Sequence, residues 1–123
     1  MNERECLDMW RKAVTASVRS DAPDLTARQQ AILMTVCLTP GPHTVRGLAE
    51  ALDIAKPAVT RALDTLEKPG FIVRLPDEND LRSVVVARTA AGTAFLRGFA
   101  RLIMTASQQE NAGPARAKSR SAA

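Results

Sequence analysis

Apolar side chains recur at helical spacing in two segments at the start of the chain, and local stop signals separate them. The first segment predicts a helix from about Glu3 to Arg19, interrupted by a polar run that ends at Pro23. Thr26 and Gln29 then form a capping-box pattern, in which the hydroxyl accepts a hydrogen bond from an early amide and the glutamine reaches back. The second helix begins there and ends at Thr39-Pro40-Gly41-Pro42, where prolines remove amide donors.

Two further apolar stripes lie on either side of a short break at Asp53 to Ala55. Thr44 is a suitable N-cap for helix three, and Pro57 fits the first turn of helix four because its missing amide costs nothing there. Helix four is predicted over residues 56–68 and ends at Pro69-Gly70. The stripes share the same spacing and consist of Val45, Leu48, Ala49 and Leu52, then Val59, Ala62, Leu63 and Leu66.

The pattern changes to a β type after helix four. Phe71–Arg74 and Val84–Val86 are β-branched or aromatic runs that suit paired strands, and residues 75–83 between them form a predicted wing. Two helices joined by a short turn and followed by a hairpin present one helix and one wing to duplex DNA. The sequence therefore predicts a mainly α-helical fold with a small β-hairpin wing, a winged helix-turn-helix.

A last helix follows the hairpin. Thr89 can cap it, and we expect it to fade near Gln109, with Gly92 and Gly98 each weakening it by up to about 1 kcal/mol. The polar segment after it lacks large apolar side chains, so ordering it would bury too little surface to offset the lost chain entropy. The predicted organisation is one winged helix domain over 1–110, with an N-terminal helix in 1–22, a core in 25–96 and a C-terminal helix in 89–110, followed by a disordered basic tail in 111–123.

Net charge adds only modestly to this picture. The chain has 17 Lys and Arg against 13 Asp and Glu, and its formal net charge of +4 suits a polyanionic partner. Arg116, Lys118 and Arg120 lie in the acid-free tail, so the rest of the chain has a net charge of only +1. Whether the chain suits DNA therefore depends on where its basic residues lie.

Spacing and composition exclude several other classes of protein. No run approaches the roughly 18 apolar residues of a membrane span and the N-terminus is charged, so we expect a cytoplasmic protein without a membrane partner. Cys6 and Cys37 lack the spacing of a zinc site or a disulfide scaffold, and His43, the only histidine, is interpreted as a loop residue. No nucleophile and base pattern is present, so we expect no enzymatic activity, no metal and no cofactor.

Four runs occur in an informative order: Leu25–Leu33, Leu48–Ile54, Val59–Glu67 and, most specific of all, Asp77–Gly92. Over about residues 25 to 96 the chain resembles the MarR family of bacterial transcriptional regulators. The resemblance implies a regulator that binds double-stranded DNA as a homodimer and associates with the nucleoid when bound. It leaves the small-molecule effector, if there is one, open.

The chain departs from the family pattern at three places. Asn79 stands where the wing signature has its first arginine, and Ala55 stands where family members often carry a hydroxyl before helix four. Family proteins usually continue into a long C-terminal helix that joins the dimer interface, whereas this sequence has only the tail after Gln109, so we expect a smaller or differently built dimer.

On the exposed side of helix four, Asp64 is interpreted as a solvated or intrahelically paired carboxylate.

The resemblance implies that helix four of each subunit enters the major groove, with the wing on the neighbouring backbone or minor groove. Arg61 is the first candidate for reading bases, since a guanidinium can pair two donors with guanine. Ala58 and Thr60 can contact thymine methyls or base edges. Arg82 has two open roles, a DNA contact or a salt bridge to Asp77. Thr44, Arg46, Lys56 and Arg74 are expected against phosphates, and Pro57, Thr65 and Asn79 complete the predicted DNA-binding set.

Two further expectations concern partners. The dimer contact is predicted to involve Trp10 and the apolar face Phe95, Phe99, Leu102 and Ile103, because neither stripe has an obvious partner in a compact monomer. An alternative function also stays open, a winged-helix module that binds another protein and does not read DNA sequence. The near-neutral folded part, the missing wing arginine and the truncated dimerisation region suggest this alternative, and DNA binding is the favoured function.

Overall fold

The computed structural model describes residues 1–112. These residues form five α-helices and three β-strands, and the predicted order of helices, hairpin and final helix is confirmed. The elements are α1 (Glu3–Arg19), α2 (Ala27–Leu38), β1 (His43–Thr44), α3 (Val45–Leu52), α4 (Lys56–Glu67), β2 (Ile72–Pro76), β3 (Val84–Arg88) and α5 (Ala90–Ala112).

The chain divides into two compact units. Residues 25–96 form the winged-helix unit, whose core joins α2, α3, α4 and the sheet. Both predicted stripes of α3 and α4 lie on the inner side, and Leu48, Leu63 and Leu66 are almost fully buried. The outer side of α4 is therefore left to polar residues. Fully or nearly fully buried residues of this core also include Ile32, Leu33, Val59, Ile72 and Val86.

The second unit contains residues 1–24 and the part of α5 from Arg97 onward. Trp10 meets Phe99 edge to face, with ring centroids 5.6 Å apart. The Lys12 ammonium lies 2.7 Å from the Glu110 carboxylate, so an ion pair also links α1 to α5 within this unit. No helix among residues 1–112 is long and apolar enough to cross a membrane.

The sheet is antiparallel, with strand order β1-β3-β2. In the hairpin, Arg74 lies opposite Val86 and Pro76 opposite Val84, so β2 extends two residues beyond the predicted strand. The interpretation of His43 as a loop residue is wrong: His43 pairs with Val86 as the first residue of β1. A two-residue strand has no periodicity of its own, and only its partner β3 makes it a strand.

Side-chain caps for α2 and α3, and a proline for α4, explain where the central helices begin. Thr26 and Gln29 form the predicted capping box of α2, with the Gln29 amide donating to the Thr26 hydroxyl at 3.2 Å. The Thr44 hydroxyl likewise accepts from the Gly47 amide at 3.0 Å and caps α3. Helix α4 begins after Ala55, which offers no side-chain cap, and has Pro57 in its first turn. These three starts agree with the sequence prediction.

The last helix is longer than expected. It continues to Ala112, whereas the sequence predicted fading near Gln109. The first two residues of the predicted tail 111–123 are therefore helical, and the remaining positions of that tail lie outside the described residues. Apolar side chains along α5, such as Leu102 and Ile103, are half-buried, and their packing extends the helix past its two glycines.

Candidate nucleic-acid interface

The outer face of α4 is the first component of the candidate site. Lys56, Thr60 and Arg61 are exposed on it, while Ala58 and Thr65 are half-buried. The Thr65 hydroxyl donates to the Arg61 carbonyl at 3.4 Å, so this threonine is engaged with its own helix. The face thus offers two cations and the exposed Thr60 hydroxyl in its first half.

The first turn of α4 offers few backbone amides to an anion. Ala55 has extended backbone angles suited to an N-cap but lacks an oxygen. Pro57 has no amide hydrogen, and the Ala58 amide donates to the Ala55 carbonyl at 3.0 Å. An anion at this helix start would therefore interact mainly with the Lys56 side chain and less with backbone amides.

A cationic cleft is the second component. Arg46 of α3, Lys56 of α4 and Arg82 of the wing line one open cleft of about 460 Å³, together with the carboxylate-bearing Asp80 and with Ser83. Three basic side chains against one acid around a concave surface give it a positive balance. The sequence predicted each of the three bases separately as a phosphate or DNA contact, and the fold brings them together.

The wing loop is held by aspartates. Asp77 Oδ1 accepts a hydrogen bond from the Asn79 amide at 2.9 Å, and Asp80 Oδ1 accepts one from the Arg82 amide at 3.1 Å. The Ser83 hydroxyl donates to the second oxygen of Asp80 at 3.1 Å. Of the two roles left open for Arg82, the salt bridge to Asp77 is wrong, since Arg82 forms no ion pair among residues 1–112. Its guanidinium is exposed beside the cationic cleft.

Arg74 occupies a different environment from the one predicted. Its guanidinium lies 2.7 Å from Asp64 Oδ1 and 2.7 Å from Glu67 Oε1, and its side chain is only 26% exposed. Asp64 is 55% exposed, which agrees with the first of the two interpretations, a solvated carboxylate, but its ion-pair partner comes from β2 and not from its own helix. The charge of Arg74 is thus already engaged by two carboxylates of α4.

The residues predicted for a dimer contact fall into both units. Phe95 packs on Phe71 of the winged-helix unit, with ring centroids 4.7 Å apart. Trp10 packs on Phe99, so the expectation that these stripes lack partners within the chain is wrong for these aromatic residues. Trp10 nevertheless remains 44% exposed, and α1 carries further exposed apolar side chains at Leu7, Val14 and Val18. Leu7, Val14 and Val18 are absent from the predicted dimer set, although their helical spacing from Trp10 could have indicated them.

The cysteines offer no metal or disulfide chemistry among residues 1–112. Cys6 is exposed, and Cys37 is buried in the core of the winged-helix unit. Burial raises the pKa of the Cys37 thiol and keeps it in the uncharged form. The described part of the chain also contains no group of three or more His, Cys, Asp or Glu side chains suited to a metal ion.

The three-helix core, the antiparallel hairpin and the exposed cationic face define a winged helix-turn-helix protein. Residues 25–84 match the sequence model of the MarR family. The chain belongs to the MarR family through this winged-helix segment, which confirms the resemblance inferred from its motifs.

Similar curated proteins agree with this assignment. The multiple antibiotic resistance protein MarR of Escherichia coli is 37% identical over 76 residues, which cover 58% of this chain and 49% of that protein. The uncharacterized HTH-type transcriptional regulator YfiV of Bacillus subtilis is 33% identical over 102 residues, covering 79% of this chain and 63% of YfiV. The chain thus spans about half to two thirds of the length of these relatives.

Solved structures show the same fold. A mutant of S. aureus MepR bound to an oligodeoxyribonucleotide has a TM-score of 0.75 at 22% identity, covering 95% of this chain and 85% of that one. The transcriptional regulator Tm0710 from Thermotoga maritima has a TM-score of 0.70 at 21% identity, covering 93% and 79%. A complex of S. aureus MepR with DNA matches with a TM-score of 0.68 at 22% identity, covering 97% and 92%. At these identities the likeness concerns the fold.

Proposed function

We propose that this chain is a sequence-specific, DNA-binding transcriptional regulator that acts as a homodimer, with α4 in the major groove and the wing, residues 75–83, on the adjacent backbone or minor groove. One observation carries the proposal: α4 exposes Arg61 on its outer face, and Lys56 of the same helix lines a cleft together with Arg46 and Arg82. A base-reading helix beside a phosphate-binding cleft is what duplex recognition requires.

The residues divide into two roles. Arg61 reads a base, since its exposed guanidinium can donate twice to guanine, and Thr60 and Ala58 contact base edges or thymine methyls beside it. Arg46, Lys56 and Arg82 hold phosphates through the cationic cleft, and the Thr44 hydroxyl, which accepts from Gly47 as a cap, keeps its own hydrogen for a phosphate oxygen. Pro57 sets the first turn of α4, and Asn79 presents an uncharged amide at the wing tip.

Two of the solved structures support the proposal, because they contain MepR together with an oligodeoxyribonucleotide or with DNA. The same fold can therefore be seated on a duplex. MarR and YfiV are named as an antibiotic resistance protein and a transcriptional regulator, which agrees with a regulatory role for this chain.

The test is selection from a pool of randomised duplexes, followed by affinity measurements at increasing salt. We expect an enriched sequence and an affinity that falls by orders of magnitude between low and moderate salt, because phosphate contacts release counterions. Arg61→Ala should lose about 1–3 kcal/mol of discrimination at one base position. Arg28→Ala, which removes an exposed arginine from α2, is the matched control and should keep the preference. An unchanged base preference in Arg61→Ala would contradict the proposed role of Arg61.

One observation favours the alternative, a winged-helix module that binds another protein. The wing and the first residue of β3 expose apolar side chains, with Leu75 at 47%, Leu81 at 83% and Val84 at 40%. Exposed apolar side chains suit a protein partner better than a phosphate backbone. Salt separates the two functions, because binding through an apolar protein interface changes little over a range of salt that abolishes phosphate-driven binding.

A further inference from the structure

Helix α4, the recognition helix of the proposed function, has no net charge over its residues Lys56–Glu67. Lys56 and Arg61 lie in its first half, and Asp64 and Glu67 lie in its second half. Both carboxylates are partly exposed, with Asp64 at 55% and Glu67 at 38% of their side-chain area. Carboxylates beside a duplex repel its phosphates, so a helix of this composition would lose at one end the attraction that it gains at the other.

Arg74 is placed against both of these carboxylates. Its Nη2 donates to Asp64 Oδ1 and to Glu67 Oε1, each at 2.7 Å, and its Nε donates to Glu67 Oε2 at 3.4 Å. The Arg74 guanidinium lowers the pKa of Glu67, and Glu67 followed by Asp64 raises the pKa of Arg74. The three side chains therefore form one charged interaction between β2 and α4.

The position of Arg74 in the chain gives this interaction a second consequence. Arg74 is the central residue of β2, which leads directly into the wing, and both of its partners lie on the recognition helix. Within the winged-helix unit, the guanidinium thus fixes the strand that carries the wing to the helix that faces the duplex. A planar, forked cation suits this role because it can engage two carboxylates in fixed directions.

We propose that Arg74 is a positioning residue for DNA binding, which neutralises the Asp64 and Glu67 carboxylates and holds the wing strand against α4, and that it is not a phosphate contact. The inference rests on the proposed function, since it assigns a role within the same site. It also replaces the prediction that Arg74 lies against a phosphate.

A mutant cycle in DNA binding tests the proposal. The unaltered chain is compared with Arg74→Gln, with the double variant Asp64→Asn/Glu67→Gln, and with the variant that combines all three changes, on one selected duplex. Removal of Arg74 alone should weaken binding about tenfold, because it leaves two carboxylates of α4 without a neutralising partner beside the duplex phosphates. In the background without the carboxylates, the same removal should change affinity by less than about twofold, because there is nothing left to neutralise.

The opposite result is equally defined. A phosphate contact would act independently of the carboxylates, so Arg74→Gln would cost the same factor in both backgrounds, and the salt slope would decrease by about one in each. Such additivity would overturn the proposal. Arg74→Lys serves as the conservative variant: it keeps the charge but not the fork, and should recover part of the lost affinity only where both carboxylates are present.

A measurement on the free protein separates this inference from the proposed function. Titration of the Glu67 carboxylate by NMR should show a depressed pKa in the unaltered chain and a higher one in Arg74→Gln. Failure of the unaltered chain to bind any duplex would refute the proposed function. An unchanged Glu67 pKa in Arg74→Gln would refute the ion pair, and with it this inference, whatever the outcome with DNA.

Discussion

The backbone carbonyl of Phe71 lies against Gly92 so closely that a Cβ atom at position 92 would overlap the carbonyl oxygen. Thr89 strengthens the same junction: its hydroxyl donates to the carbonyls of Gly70 and Phe71, at 2.6 and 3.0 Å, and accepts from the Gly92 amide at 3.0 Å. The start of α5 is thereby joined to the start of the hairpin. The wing is thus anchored at its base by a contact that only glycine permits.

Gly92→Ala should destabilise the winged-helix unit, because the added methyl meets a backbone atom that cannot rotate away. We expect a loss of about 1–3 kcal/mol in the free energy of unfolding, the range for overpacking a tight site. Gly98→Ala is the matched control in the same helix, since, apart from its chain neighbours and the backbone of its own helix, no atom of residues 1–112 lies within 4 Å of its Cβ position. The control should gain up to about 1 kcal/mol from helix propensity. Thermal melts of both variants that shift equally would contradict this account.

This junction also shows where sequence reasoning stops. Thr89 as a helix cap was predictable, because capping depends on residues three positions apart. The need for glycine at position 92 was not, because it comes from Phe71, about twenty positions away in the chain. In the sequence, Gly92 is recognisable only as a residue that weakens a helix. In the structure, its position has no room for a Cβ atom, so glycine is required there. His43 is a similar case, since its strand depends on pairing with Val86.

Helix capping predicts one substitution that stabilises the protein and one that destabilises it. Ala55 has N-cap backbone angles but no acceptor, so Ala55→Ser should add a hydrogen bond to α4 and raise its stability by about 0.5–1 kcal/mol. Thr44→Val, which removes the existing cap of α3, should lower stability by about 1 kcal/mol. Denaturant titrations report both values. A destabilised Ala55→Ser variant would show that the site is too crowded for a hydroxyl.

The Arg74 ion pair predicts a dependence of stability on pH. The folded-state pKa of Glu67 is depressed below its ordinary value of 4.5, chiefly by Arg74. The unfolded state therefore takes up a proton first on acidification, and the stability from this pair is fully present above about pH 4.5 and is lost as the pH falls through the folded-state pKa. Unfolding titrations should show Glu67→Gln less stable than the unaltered chain at neutral pH, with the difference vanishing in acid. A constant difference across this range would rule out the ion pair as its cause.

The exposed stripe of α1 predicts how the proposed dimer responds to charge. Leu7 and Val18 are 69% and 61% exposed, and a glutamate at either position would have to be desolvated in an interface. Leu7→Glu and Val18→Glu should therefore sediment as monomers at concentrations where the unaltered chain is dimeric. Leu38→Glu, at a side chain 71% exposed in the other unit, is the control and should leave the dimer intact. Dimers that persist in both α1 variants would place the interface elsewhere.

The individual residues of the candidate site could be predicted from the sequence, but their contacts with one another could not. Periodicity assigned the inner stripe of α4 correctly, and so left Thr60 and Arg61 on the outside. Whether a cation is available or already paired depends on tertiary contacts, which no local pattern reports. Arg82 and Arg74 illustrate this difference. A salt bridge to a carboxylate was one of the roles predicted for Arg82, but its side chain forms none among the described residues. Arg74 was predicted to contact a phosphate, but its guanidinium forms ion pairs with two carboxylates.

The most direct test of the central claim, that the outer face of α4 and the wing meet duplex DNA, is amide hydrogen exchange of the chain with and without a selected duplex. We predict that added protection concentrates in 44–46, 56–65 and 75–83, and that Arg61→Ala reduces it. Protection confined to α1 and the later part of α5, or no change on saturation with DNA, would contradict the claim.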